Sequence, residues 1–166
     1  PFCVGNGRIG RLLITLYLVS KGLLHKPALY LSDFFERNRA SYYDALMAVR
    51  TSGNLNHWVR FFLSGVAETA RNGRDTFQKV LALRTESEAR MHELGRRGKK
   101  GLELLRLLYS RPVVTVSDVG EALKMSAPTA NALVSEFQRF GLLKEQTGYA
   151  RNRVFAFEAY LKLFLI

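Results

Sequence analysis

The chain has 166 residues, 48% of them apolar, with four prolines and a formal net charge of +11, which suits one large or two small globular domains and excludes an intrinsically disordered chain. A single cysteine, Cys3, excludes an internal disulfide, and His25, His57 and His92 stand in no metal-ligand spacing, so no structural zinc site is expected. No run of about eighteen apolar residues occurs, and the first residues lack a basic region, apolar run and small-residue cleavage site; the expectation is a cytoplasmic protein without a membrane partner.

In chain order, Ile9, Leu12, Leu13, Leu16, Tyr17 and Val19 recur at threes and fours, which predicts a helix from Gly7 to Gly22 with these residues on one face. Pro27 and the run ALYLS make a connector. Ser32 is placed to cap a helix through about Val49 that turns Phe34, Phe35, Tyr42, Leu46 and Val49 inward. TSGN at 51–54 breaks it, and Asn54 is placed to cap a third helix striped by Leu55, Trp58, Val59, Phe62, Val66 and Ala70, on which His57 and Trp58 read as a packed pair. A fourth helix is expected from about Gly73 to Leu94, apolar early at Phe77, Val80, Leu81 and Leu83 and mostly charged later.

GRRGKK at 95–100 reads as a linker or as the solvated entry to a new unit, which sets the expected domains at 1–95 and 96–166. Beyond it, GLELLRLLYSR predicts a short helix, Ser117 caps DVGEALK, and Ser126 caps APTANALVSEFQRFG, with Pro128 in the first turn and Gly141 ending the run. Two short helices joined by about three residues have helix-turn-helix spacing. LLKEQ, TGYARN and RVFAF then read as strand, turn and strand, a wing, and EAYLKLF as a short closing helix. Leu133, Val134, Phe137 and Phe140 are core by spacing. The fold class expected is mainly α with one β-hairpin. Residues 1–95 carry 13 basic and 8 acidic side chains and residues 96–166 carry 12 and 6, so the basic excess favours phosphate-bearing partners without choosing a half.

Gly5, Asn6, Gly7 and Arg8 stand immediately before the first helix, where backbone N–H groups without intrahelical partners and the positive end of the helix dipole favour an anion. Glycines and the turn-tolerant Asn6 let such a backbone curl around phosphate oxygens, and Arg8 and Arg11, three apart, share one face. By itself Gly-Asn-Gly is either such a nest or an ordinary turn. The full string Pro1-Phe2-x-x-Gly5-Asn6-Gly7-Arg8-x-x-Arg11 closely resembles the Fic (Fic/Doc) family signature HPFx(D/E)GNGRxxR. The stretch from LYLSDFF to VAETA is similar to the segment C-terminal to that motif in Fic proteins, and the winged-helix end with RNRVF and YLKLF resembles the C-terminal domain of one bacterial Fic subgroup. The resemblance covers nearly the whole chain, but only the later part of a complete Fic protein.

The resemblance implies the later helices of a Fic core, followed by a winged helix-turn-helix domain. It also implies transfer of AMP from ATP, with Mg²⁺, onto a hydroxyl of a target protein that the sequence does not identify. Carried over by position, Gly5, Asn6 and Gly7 would form the anion nest, Arg8 and Arg11 would hold phosphates, Phe2 would anchor the loop, and Tyr43 would either border the adenosine pocket or serve as a core aromatic. Two departures stand out. The family's general-base histidine would stand just before Pro1, where this chain begins, and Val4 occupies the place of the metal-holding acid. A base is worth about 10² to 10⁴ in rate, and valine offers no oxygen to a hard cation, so the chain as written is expected to be inactive or nearly so while still holding nucleotide weakly. Cys3, beside the helix N-terminus, sits in a slot that varies in the motif and is read as a bystander.

For the winged helix, one reading sets Ser126, Thr129, Asn131 and Ser135 near a DNA major groove, with Lys144, Arg151 and Arg153 on phosphates from the wing. The other makes the module a protein-binding or homodimerisation surface, since its second helix carries one basic residue, Arg139, near its far end.

Overall fold

The computed structural model describes residues 6–23, 31–149 and 152–164, so Pro1 to Gly5, the connector around Pro27 and Arg151 lie outside the described residues. The chain is mainly α-helical with one small antiparallel sheet, and it divides into two compact units, Pro1–Asp75 and Thr76–Ile166. That division falls about twenty residues before the GRRGKK stretch because Leu83, Met91 and Leu94 pack into the core of the second unit. No helix among the described residues is long and apolar enough to cross a membrane.

The first unit is built from α1 (Asn6–Ser20), α2 (Leu31–Arg37), α3 (Arg39–Ser52) and the beginning of α4 (Leu55–Met91). The helix expected from Ser32 to Val49 is two, because Asn38 leaves helical geometry (φ −109°, ψ 36°) and spends its side-chain amide on the Phe34 carbonyl at 2.9 Å. Ser32 lies inside the first turn of α2 instead of capping it. Asn54 does cap α4, its Oδ1 accepting from the His57 N–H at 3.4 Å. The third and fourth expected helices are one: Gly73 costs only about 1 kcal/mol in a helix interior, and no proline stops the run.

The core of this unit is aromatic. Leu31, Phe34 and Phe35 are buried, and Tyr42, Phe61, Phe62 and Val66 pack on them, with ring centroids 5.3 Å apart for Phe34–Phe61 and 5.1 Å for Phe35–Tyr42. Trp58 joins from α4, 5.6 Å from Tyr42, whereas its expected companion His57 is exposed. Gly65 is what lets the Phe34 ring lie flush on α4, since a Cβ there would stand 2.5 Å from it. On α1, Ile14 and Leu18 are the residues that face the core, and the expected stripe of Leu12, Leu13, Leu16 and Tyr17 is exposed. Leu46, Leu55 and Val59, also expected inward, are exposed as well, and so are Phe77 and Leu81 further along α4. Threes-and-fours spacing finds an apolar face but not whether anything covers it.

In the second unit the end of α4 passes through a 3₁₀ turn (His92–Arg97) into α5 (Gly98–Ser110). GRRGKK is therefore a tight corner and no linker. Gly95 adopts φ 53°, ψ −122°, which reverses the chain, and α5 then comes back so closely that a Cβ on Gly101 would stand 2.6 Å from Leu94 and 2.9 Å from the Met91 sulfur. β1 (Val113–Thr115), α6 (Val116–Leu123), α7 (Ala127–Arg139), β2 (Lys144–Glu145), β3 (Val154–Ala156) and α8 (Glu158–Leu161) follow in winged helix-turn-helix order. The strands pair antiparallel as β1-β3-β2, with Val114 opposite Phe155 and Lys144 opposite Ala156. The expected hairpin thus carries a third strand that sequence patterning does not reveal. Leu104, Leu105, Leu108, Val119, Leu133, Val134, Phe137, Phe155 and Phe157 form the core, with Phe140 packed at its edge.

α6 is capped by Thr115 and not by Ser117. The Asp118 N–H donates to Thr115 Oγ1 at 3.2 Å while Asp118 Oδ2 accepts from the Thr115 N–H at 2.7 Å, a reciprocal box; Ser117 lies inside the helix with its hydroxyl 3.4 Å from Glu121. Ser126 does hold the N-cap position of α7, with its hydroxyl spent on Thr129 Oγ1 at 2.9 Å instead of a backbone N–H. Gly141, at φ 70°, ends the segment as expected, donating to the Gln138 carbonyl.

Gly101→Ala is expected to destabilise the protein by about 1–3 kcal/mol, read as a lower urea midpoint, because the new methyl has no room against Leu94 and Met91. Thr115→Ala is expected to cost about 1 kcal/mol. The Thr115 backbone and hydroxyl, and more weakly Arg111 at 3.8 Å, hold the Asp118 carboxyl below its ordinary range. A lowered folded value means that the box contributes fully above the ordinary carboxylate pKa of about 3.9 and is lost as pH falls through the lowered value, so the Thr115→Ala penalty should shrink in acid below about pH 4. A penalty that stays constant from about pH 6 to about pH 2 would contradict this coupling.

Candidate functional site

Two groups of residues carry candidate function, one in each unit. In the first, α1 begins at Asn6, so Asn6, Gly7, Arg8 and Arg11 all belong to its first turns, without an acidic residue in the first turn. Val4 and Gly5, and the side chains of Asn6, Arg8 and Arg11, lie outside the described residues. Tyr43 lies on α3 at 55% exposure, its ring edge-on to Tyr42 at 5.4 Å with the Arg39 guanidinium 5.9 Å from its centroid. It is therefore a surface aromatic and not a core one. Among the described residues no three His, Cys, Asp or Glu side chains gather in a group able to hold a metal ion.

In the second unit the three residues Lys124, Met125 and Ser126 separate α6 from α7, and Lys124 takes a left-handed conformation (φ 52°) that turns the chain. Gly120 permits the closure, since a Cβ there would lie 3.3 Å from the Met125 carbonyl and 3.7 Å from the Ala130 methyl. α7 thus buries Ala130, Leu133, Val134 and Phe137 and leaves Thr129, Asn131, Ser135 and Arg139 exposed. A shallow depression lined by Val116, Gly120, Met125 and Ala127 lies beside its start.

The residues expected to meet DNA differ in how committed they are. Ser126 and Thr129 bind each other, and the Ser135 hydroxyl donates to the Asn131 carbonyl at 2.9 Å within the helix. Lys144 pairs with Glu158 at 3.2 Å. Arg153 donates from Nη2 to Asn131 Oδ1 at 2.9 Å and lies 3.6 Å from Glu145. Arg151 lies outside the described residues. The wing cations Lys144 and Arg153, expected on phosphates, are thus compensated inside the protein. Glu158 accordingly sits below its ordinary carboxylate range, held there by Gln146 first and then by Lys144 and Lys162. Two exposed cations outside the expected phosphate set, Lys124 before α7 and Arg139 in its last turn, have no ion-pair partner among the described residues; Arg139 rests on the Phe140 ring at 5.5 Å. Arg139 is visible in the sequence by its spacing from Asn131 and Ser135, but Lys124 is marked only by its place in the turn.

No family model matches the chain. Since more than half of the Tyr43 surface is exposed, Tyr43→Ala is expected to cost well under about 1 kcal/mol in a urea titration, whereas a core aromatic would cost about 3–5 kcal/mol.

Proposed function

We propose that this chain is the C-terminal portion of a Fic-type protein adenylyltransferase, carrying the phosphate-binding end of the AMP-transfer core and a winged-helix domain, and that it does not itself transfer AMP. The observation that carries the reading is the string Pro1-Phe2-Cys3-Val4-Gly5-Asn6-Gly7-Arg8 running into helix α1, with Arg11 one turn on. Backbone N–H groups at that N-terminus and two guanidinium groups supply what a polyphosphate needs. The residues present do not fit the Mg²⁺ that the family resemblance implies, because Val4 stands where a carboxylate would hold it. What the chain keeps is nucleotide retention. The substrate class is ATP and the acceptor class a protein hydroxyl.

The test is a titration with ATP, without and with Mg²⁺, together with incubation of the protein with labelled ATP. Weak binding that Mg²⁺ does not strengthen is expected, abolished by a joint Arg8→Ala and Arg11→Ala change, and no label should appear on protein. Val4→Asp is expected to make ATP binding Mg²⁺-dependent. Label transfer by the unaltered chain would overturn the inactive assignment, and failure to bind ATP under any condition would overturn the phosphate nest.

A second reading is that the function lies in the winged helix, as a DNA-binding or protein-binding regulator. It is supported by the polar outward face of α7, with Thr129, Asn131 and Ser135, on a unit that carries 15 basic against 9 acidic side chains. A gel shift with random-sequence duplex should show retarded complex at low salt, fading steeply as salt rises.

A further inference from the structure

The contact between the wing and α7 is specific in direction. Arg153 has no acceptor atoms, so its Nη2 at 2.9 Å settles which end of the Asn131 amide is the oxygen and points that oxygen toward the wing. The same guanidinium is 3.6 Å from Glu145 Oε2 and lies over the Phe155 ring at 5.4 Å, with its side chain 33% exposed. Three contacts hold it, and two of them are carboxylate or amide oxygens, the kind of partner a phosphate would supply. Asn131 is exposed, and its two Nδ2 hydrogens have no protein partner among the described residues. Lys124 and Arg139 stand at the two ends of α7, exposed and without ion pairs among the described residues. A helix of 13 residues is about 20 Å long and a major groove about 12 Å wide, so cations at its two ends can reach the phosphates that flank the groove when the helix is laid across it.

Resting on the winged-helix reading, we infer that Asn131 reads a base edge in the major groove of double-stranded DNA, with Arg153 as its positioning residue, and that Lys124 and Arg139 meet the phosphates in place of the wing cations. Duplex DNA is the occupant that the unit's net charge of +6, from 15 basic and 9 acidic side chains, favours. An asparagine amide of fixed orientation matches the paired donor and acceptor that adenine presents in that groove. An arginine that orients another side chain and one that neutralises a phosphate leave different signatures. Loss of the first relaxes base preference at one position; loss of the second weakens binding to all sequences alike and flattens the salt dependence.

The experiment enriches duplexes for the full chain from a randomised pool at about 50 mM salt and then measures affinity over a salt series for the enriched duplex and for single-base changes in it. Arg153→Met, which keeps the stem over Phe155, and Asn131→Ala are each expected to abolish discrimination at the same single position. That loss is about 5- to 150-fold, with the logarithmic salt slope unchanged. Lys124→Ala and Arg139→Ala are each expected to reduce the slope by about 0.9 with the preferred sequence kept. Thermal melts verify folding of each variant, and Arg153→Lys, which keeps the charge but not the planar fork, replaces Arg153→Met if the latter does not fold; relaxed preference is again expected. A reduced slope with intact preference in Arg153→Met, or intact preference in Arg153→Lys, overturns the positioning role while leaving DNA binding standing. No enrichment of any duplex by the unaltered chain overturns DNA binding by the winged helix and this inference with it.

Discussion

In the second unit, α5 returns along the end of α4 with only a glycine hydrogen between its backbone and Met91, which is 1% exposed. Everything beyond that corner is placed by it. Leu104, Leu105 and Leu108 point into the core because α5 starts where Gly95, Gly98 and Gly101 let it start. Their layer receives α6 and α7, and those helices set the outward face on which Asn131 is presented. Arg90 and Arg97 close the same corner from the side, donating to the Phe140 carbonyl and to Glu136 near the end of α7. The charges around GRRGKK are thus partly structural, which is why a stretch with the composition of a linker forms a packed corner.

The first unit obeys a different constraint. Its core is a set of interlocked rings, and Gly65 is the place where helix and ring meet with no side chain between them. α1, at whose start the phosphate nest is proposed, is fastened to those rings through Ile14 and Leu18. The chemistry proposed for Gly5 to Arg11 therefore depends on a packing contact two turns further along the helix.

Local signals are legible in the sequence and non-local ones are not. Asn54 at the start of α4, Pro128 and Gly141 bounding α7, and the apolar Leu133, Val134 and Phe137 can all be found there, because caps and helical spacing are written within a few residues. β1 escapes because three residues are too few for any period to show, and its pairing with β3 joins residues some forty positions apart. Ser117 reads as the cap of α6 from its place before DVGEALK, and Thr115 takes that role because the strand preceding the helix runs into it without a break. The wing cations read as free for the same reason: Glu145 and Glu158 reach Arg153 and Lys144 only once the sheet has formed. On α4 the spacing correctly turns Trp58, Phe62 and Val66 inward but takes Leu55 and Val59 with them, and on α1 it assigns Leu12, Leu13, Leu16 and Tyr17 inward although they are exposed, since burial is a property of what lies opposite.

Thr115 has two employments at once, as the last residue of β1 and as the cap of α6, with no residue between the sheet and the helix. A length change at this junction is therefore of another kind from a substitution. Adding or removing one residue there either slides Val114 off Phe155 and turns the strand inside out, or carries Asp118 out of reach of the threonine, and no adjustment saves both. The chain has one fixed count at this point, set by the strand register on one side and the cap on the other.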